Sequence, residues 1–201
     1  GTNYSGHFLL EAQAHGYTVS SQLLQQWKTY QRGKANAWMP KTTNFYGDDL
    51  TQAYRLYLLA LAKSPELGAM NRLKEFKYIS PQAKWRLAAA YKLAGQDNTA
   101  LQLISGLQRT FNSNNQGGTS YGSDLRDEAM VLETLTLMGK RNLAEELVTG
   151  IAAKLSDDYW YSTQTTAYSL IAIAKYCGKN PSGTKIIATG TVNEKPVNIN
   201  S

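Results

Sequence analysis

The stretch Asp157-Asp158-Tyr159-Trp160-Tyr161-Ser162-Thr163-Gln164-Thr165-Thr166-Ala167-Tyr168-Ser169-Leu170-Ile171-Ala172-Ile173-Ala174-Lys175-Tyr176 decides how the chain is read. Ser162 has the side chain of an N-cap, whose hydroxyl accepts an otherwise unpaired amide proton of the first turn. From Thr165 to Tyr176 nearly every position is apolar or small, which leaves no face for water and predicts an enclosed helix. Residues 50–62 and 130–138 are also apolar nearly all round, while the segments after them are amphipathic. Enclosed and half-exposed helices therefore alternate, and the fold class is all-α with an inner and an outer layer.

The punctuation supports that layering. A first helix over residues 5–16 turns Phe8, Leu9 and Ala12 inward, and Gly16 suits its end. Ser20 or Ser21 caps a second helix with Leu23, Leu24, Trp27 and Tyr30 inward. Ser64-Pro65 and Ser80-Pro81 each place a cap before a proline at the first helical position. Turns at Ser64, Gly95, Gly139 and Gly178 are spaced by 31, 44 and 39 residues. A stacked solenoid keeps a nearly fixed repeat, whereas a closed ring of helical hairpins, an α/α toroid, tolerates unequal loops. The inner helices are expected over 50–62, 82–94, 125–138 and 165–176. After Gly178 the texture becomes β-branched, in Lys185-Ile186-Ile187-Ala188-Thr189-Gly190-Thr191-Val192 and again after Asn193-Glu194-Lys195. That is a hairpin signature. The expected organisation is a partial toroid over residues 1–180 and the first strands of a following β domain over 184–201.

Four stretches resemble the thioester-containing helical domain of bacterial α2-macroglobulins. Trp160-Tyr161-Ser162-Thr163-Gln164-Thr165-Thr166-Ala167-Tyr168 with its apolar tail is similar to the last inner helix of that domain. Tyr4-Ser5-Gly6-His7-Phe8-Leu9-Leu10-Glu11-Ala12, Gln82-Ala83-Lys84-Trp85-Arg86-Leu87-Ala88 and Tyr121-Gly122-Ser123-Asp124-Leu125-Arg126-Asp127-Glu128-Ala129 match in the same order. The resemblance covers residue 4 to about 178. It implies a fragment of a broad-spectrum protease trap that is not an enzyme: a moving and docking body with no cofactor. Its implied partners are other domains of the same polypeptide and host or foreign proteases. It also implies a periplasmic or cell-envelope setting, with membrane contact only through an anchor elsewhere. The family's thioester joins a cysteine to a glutamine three residues on. Cys177 is followed by Gly178, Lys179 and Asn180, so that device is not encoded in this stretch.

Composition narrows the alternatives. The net charge of +6 is spread along the chain without a basic stripe interleaved with aromatics, so nucleic acid is not an expected partner. Cys177 is the only cysteine, which excludes an internal disulfide and a cysteine-rich metal site. The two histidines, His7 and His15, lack chelating neighbours at local spacing, and no metal is expected. Toroids also host glycan-processing enzymes, which need two carboxylates about 5–9.5 Å apart. Asp48-Asp49, Asp124 with Asp127 and Glu128, and Asp157-Asp158 are candidates, although acidic residues also favour helix amino termini through capping and the macrodipole. A toroid enzyme fragment and a helical scaffold for a peptide are thus the alternatives. No catalytic residue is assigned.

In a ring of hairpins, every connection from an outer to the next inner helix emerges at one end. Here those connections lie at 33–49, 77–81, 110–123 and 156–161, and they carry most of the loop aromatics. Trp38, Phe45, Tyr46, Tyr121, Tyr159, Trp160 and Tyr161 are the candidate docking face. The competing expectation is that these rings plug the end of the barrel.

Overall fold

The computed structural model describes residues 1–40, 48–111 and 123–178, together with the backbone of strands Ile187–Val192 and Lys195–Asn200. Its helices are α1 (Thr2–Ala14), α2 (Ser21–Ala37), α3 (Asp48–Leu61), α4 (Leu67–Lys74), α5 (Pro81–Leu93), α6 (Asp97–Ile104), α7 (Asp124–Leu137), α8 (Arg141–Ser156) and α9 (Thr163–Gly178). The odd-numbered helices form the inner layer: α1 lies on α3, α3 on α5, α5 on α7 and α7 on α9. The even-numbered helices pack outside them, and the result is an incomplete α/α toroid.

Helix starts follow the capping chemistry. The hydroxyls of Ser20, Ser80, Ser123 and Ser162 accept from the amides of Leu23, Ala83, Arg126 and Thr165 at 3.2–3.3 Å. Ser64 does not follow the expected pattern. Its amide donates to Leu59 O, so it is used in ending α3, and α4 starts later, after Glu66. The Glu66 carboxylate turns instead to Arg32 and Asn36 of α2.

Helix ends repeat one device. The amides of Tyr17, Ser64, Gln96 and Lys140 reach back to the carbonyls of Ala12, Leu59, Tyr91 and Leu135, the long bond of a Schellman turn. The residue before each donor is left-handed: Gly16, Gly95 and Gly139, but Lys63 at φ 57°. A side chain in that conformation costs about 1 kcal/mol that glycine avoids. Lys63→Gly is therefore expected to raise the urea midpoint, by a stability gain of about 0.5–1 kcal/mol; an unchanged or lowered midpoint would show that the lysine makes a compensating contact.

Burial separates the layers, with corrections at α9, α1 and α2. α3, α5 and α7 are enclosed, whereas α4, α6 and α8 each bury a single stripe. α9, expected to be enclosed, buries only Thr165, Tyr168, Ser169 and Ala172, and Leu170 is 55% exposed. Among the described residues α7 and α8 cover α9 only in part, and the Leu170 side is left open where the ring of helices is incomplete. For the same reason α1 buries Gly6, His7 and Leu10, and not the expected Phe8 face. Gly6 is required where it stands: the Trp27 indole lies against it, and a Cβ there would come within 2.0 Å of the ring. In α2 the buried residues are Leu24, Trp27, Gln31 and Ala35, while Leu23 and Tyr30 are exposed. The helix also continues through Gly33, shortening the expected break.

The two strands, β1 (Ile187–Val192) and β2 (Lys195–Asn200), pair antiparallel with Ile187 opposite Asn200 and Val192 opposite Lys195. The expected hairpin is present. Among the described residues no helix is long and apolar enough to cross a membrane.

Candidate functional site

The amino termini of the inner helices gather at one end of the ring. Asp49 at the start of α3 accepts from the Ser80 amide before α5, at 2.6 Å. The Ser123 and Thr165 hydroxyls, at the starts of α7 and α9, meet at 2.8 Å, and Asn3 of α1 donates to Thr51 O of α3. A mouth of about 300 Å³ opens there among Tyr4, Tyr54, Arg55, Arg126 and Gln164.

The candidate docking residues divide in two. Trp38 is buried, its indole donating to Asp48 at 3.0 Å and meeting Phe76 edge-on, so it closes the amino end of α3. Phe111, on the connection before α7, is likewise buried. Trp160, by contrast, is 81% exposed, Tyr159 is exposed, and Tyr161 is partly buried with its ring against Tyr159. Phe45, Tyr46 and Tyr121 lie outside the described residues. The described part of the face is thus a plug at Trp38 and an open aromatic edge before α9.

Four of the candidate carboxylates, Asp48, Asp49, Asp127 and Glu128, are held by structural partners. Asp49 bonds the amides of Leu50 and Ser80, Asp127 pairs with Arg126, and Glu128 pairs with Lys154 at 2.7 Å. Asp48 receives the Trp38 indole. Each of these bonds fastens a helix start or joins an outer helix to an inner one.

Every inner helix contributes to a polar cluster inside the ring. Arg86 of α5 is 0% exposed; its guanidinium donates to Glu133 of α7 at 2.6 Å and to the Tyr168 hydroxyl of α9 at 2.9 Å. It lies 4.3 Å over the ring of Tyr57 of α3, a cation–π contact strengthened by exclusion of water. Glu133 also accepts from the Tyr57 hydroxyl and from Lys175 of α9, both at 2.7 Å. Lys175 reaches Glu11 of α1 as well, and His7 joins Glu11 to the Tyr54 hydroxyl.

Burial alone would raise the pKa of Glu133, but Arg86 and then Lys175 reverse it and hold the carboxyl well below the ordinary range. Burial likewise opposes the charge on Lys175, and Glu133 and Glu11 outweigh it, so its pKa is raised. His7, Glu11 and Glu133 have ligand atoms close enough together to hold a metal ion. The ammonium of Lys175 stands between the two carboxylates, so the cation that this structure places there is a side chain.

The cluster borders a cleft of about 750 Å³ between α1 and α9, walled by Tyr4, Phe8, Trp160, Gln164, Tyr168 and Ile171. Its rim is apolar and open: Phe8 is 72% exposed. Sequence reading missed the cluster, since its charges stand singly on separate helices. The available signal was a charge set within the apolar run of each helix: Arg86 before Leu87-Ala88-Ala89-Ala90, Glu133 after Met130-Val131-Leu132, and Lys175 after Ile171-Ala172-Ile173-Ala174.

The helical fold has counterparts among solved structures. Native α2-macroglobulin from Escherichia coli, spanning domain MG7 to the C-terminus, matches all of this chain over 33% of its own, with TM-score 0.71 and 23% identity. Salmonella α2-macroglobulin reacted with methylamine matches 98% of this chain over 13% of its own, with TM-score 0.73 and 20% identity. Trypsin-activated E. coli α2-macroglobulin matches all of it over 14% of its own, with TM-score 0.65 and 23% identity. This is a helical fold found in bacterial α2-macroglobulins. No family model matches the sequence, and a search of curated proteins finds no relative. The chain spans at most a third of the length of these α2-macroglobulin chains.

Proposed function

We propose that this chain is the carboxyl-terminal part of the helical, thioester-type domain of a bacterial α2-macroglobulin-like protease trap. The observation that carries the reading is the match of essentially the whole chain to such proteins in native, methylamine-reacted and trypsin-activated forms. A unit recognisable in all of these is a body that is carried through rearrangement. In this reading the helical unit does no chemistry. Residues 1–180 form the partial toroid, and residues 184–201 supply the first strands of the next β domain. A protease cuts elsewhere in the polypeptide, the molecule rearranges, and this domain moves with it. The setting is the periplasm or cell envelope.

The docking surface of that body is the aromatic edge before α9. Trp160 is the most exposed large apolar side chain among the described residues. An exposed indole beside a helix amino terminus suits burial against a neighbouring domain of the same polypeptide. In the full-length protein, Trp160→Ala should loosen domain assembly, read as faster limited proteolysis between domains. The melting temperature of the isolated 201-residue chain should change by less than about 2 °C, as expected for an exposed site. Equal loss in both measurements would place Trp160 in the fold and not at a docking face. A full-length polypeptide that neither changes shape on cleavage by trypsin nor retains the protease would end the wider reading.

A further inference from the structure

The two walls of the α1–α9 cleft are held differently from every other pair of neighbouring inner helices. α3, α5, α7 and α9 pack backbone against backbone in sequence, but the backbones of α1 and α9 do not come into contact. At its amino end α1 is fixed by three contacts, two to α3 and one to α2. Asn3 donates to Thr51 O of α3, the Tyr4 ring meets the Tyr54 ring at 5.4 Å, and the Trp27 indole of α2 donates to Thr2 O. Along its second half the tie across the cleft is polar. Lys175 extends from α9 to Glu11, while also holding Glu133 of α7.

We propose that α1 is a hinged wall, seated on α3 by its amino end and latched to α9 through the Lys175 ammonium, and that releasing the latch widens the cleft. The geometry supports release without loss of the ring. With Lys175 gone, Glu133 keeps Arg86 and the Tyr57 hydroxyl, and Glu11 keeps His7. The Lys175 side chain is 26% exposed, so its head group can exchange carboxylates for water where Arg86 cannot. The surface uncovered would include Phe8, already mostly exposed, and the Tyr168 ring, which now meets His7 at 5.8 Å. Widening therefore turns a shallow apolar cleft into a deeper one floored by the charge cluster.

Nitroxide pairs measure the swing on the 201-residue chain. Cys177 is the only cysteine and is exposed near the end of α9, and His15 is exposed at the end of α1, so a His15→Cys variant spans the latch. A Gln96→Cys variant paired with Cys177 spans the ring from the exposed turn after α5 and serves as control. The His15→Cys pair should give one narrow distance distribution. Adding Lys175→Met should give a second, longer population of about a tenth of the molecules or more, and Glu11→Gln a smaller one, with the control pair unchanged in both. Broadening of both pairs would mean general loosening, and an unchanged latch pair in either variant would mean that packing holds α1; either result overturns the proposal.

Discussion

Arg86→Ala is expected to lower unfolding free energy by about 3–5 kcal/mol, the range for removing one partner of a buried ion pair. The side chain is fully buried, and its loss leaves Glu133 charged in the ring with only Lys175 and Tyr57 to hold it, and leaves a cavity between three tyrosine rings. Urea denaturation of the two proteins at pH 7 measures the difference; a loss below about 1 kcal/mol would mean that Lys175 and water replace the guanidinium. The same pair sets an acid limit. Because the folded pKa of Glu133 is depressed, its contribution is complete above the free carboxyl value of about 4.3 and is lost as pH falls through the folded value. Glu133→Gln should therefore be less stable than the parent at pH 7 and should lose less further stability between pH 5 and pH 2. Parallel pH profiles would show that other carboxyls govern acid unfolding.

Ala172→Asp is expected to cost several kcal/mol, because an unpaired carboxylate would enter the α7–α9 seam, where Ala172 is fully buried. Leu170→Asp, two positions earlier on the same helix, should cost less than about 1 kcal/mol, since Leu170 faces the open side. Thermal melts of the two variants compare the faces directly. Similar shifts would show that α9 is covered on both sides in solution. In a longer polypeptide that covers the Leu170 side of α9, only the Leu170 result should change.

The helix boundaries were legible because the signals that set them are local. A serine hydroxyl caps an amide three residues away, and a glycine adopts the left-handed turn that ends a helix, so Ser80, Ser162, Gly95 and Gly139 could be read where they stand. Ser64 misled because one residue cannot both end α3 and cap α4. The burial of α9 was not legible: an apolar face says that a helix needs a neighbour, and the neighbour can lie outside the chain. Trp38 was a docking-face candidate with a plug as the competing expectation, and its buried indole finds Asp48 across the connection. The charge cluster was beyond local reading, since Arg86 and Glu133 are 47 positions apart and Glu11 and Lys175 are 164 apart. Only a ring brings such residues together.

Helical hairpins that touch only their sequence neighbours unravel from an end, each unit adding its own small term to the transition. Here the Arg86 guanidinium binds side chains of α7 and α9 and stacks on α3, so four inner helices share one charged centre. Peeling away any one of them leaves that centre short of a partner and open to water. Helices α3 to α9 are therefore bound into a single melting unit: the calorimetric and van't Hoff enthalpies of that block should agree, as they do for an all-or-none transition and not for the staged loss of a linear array.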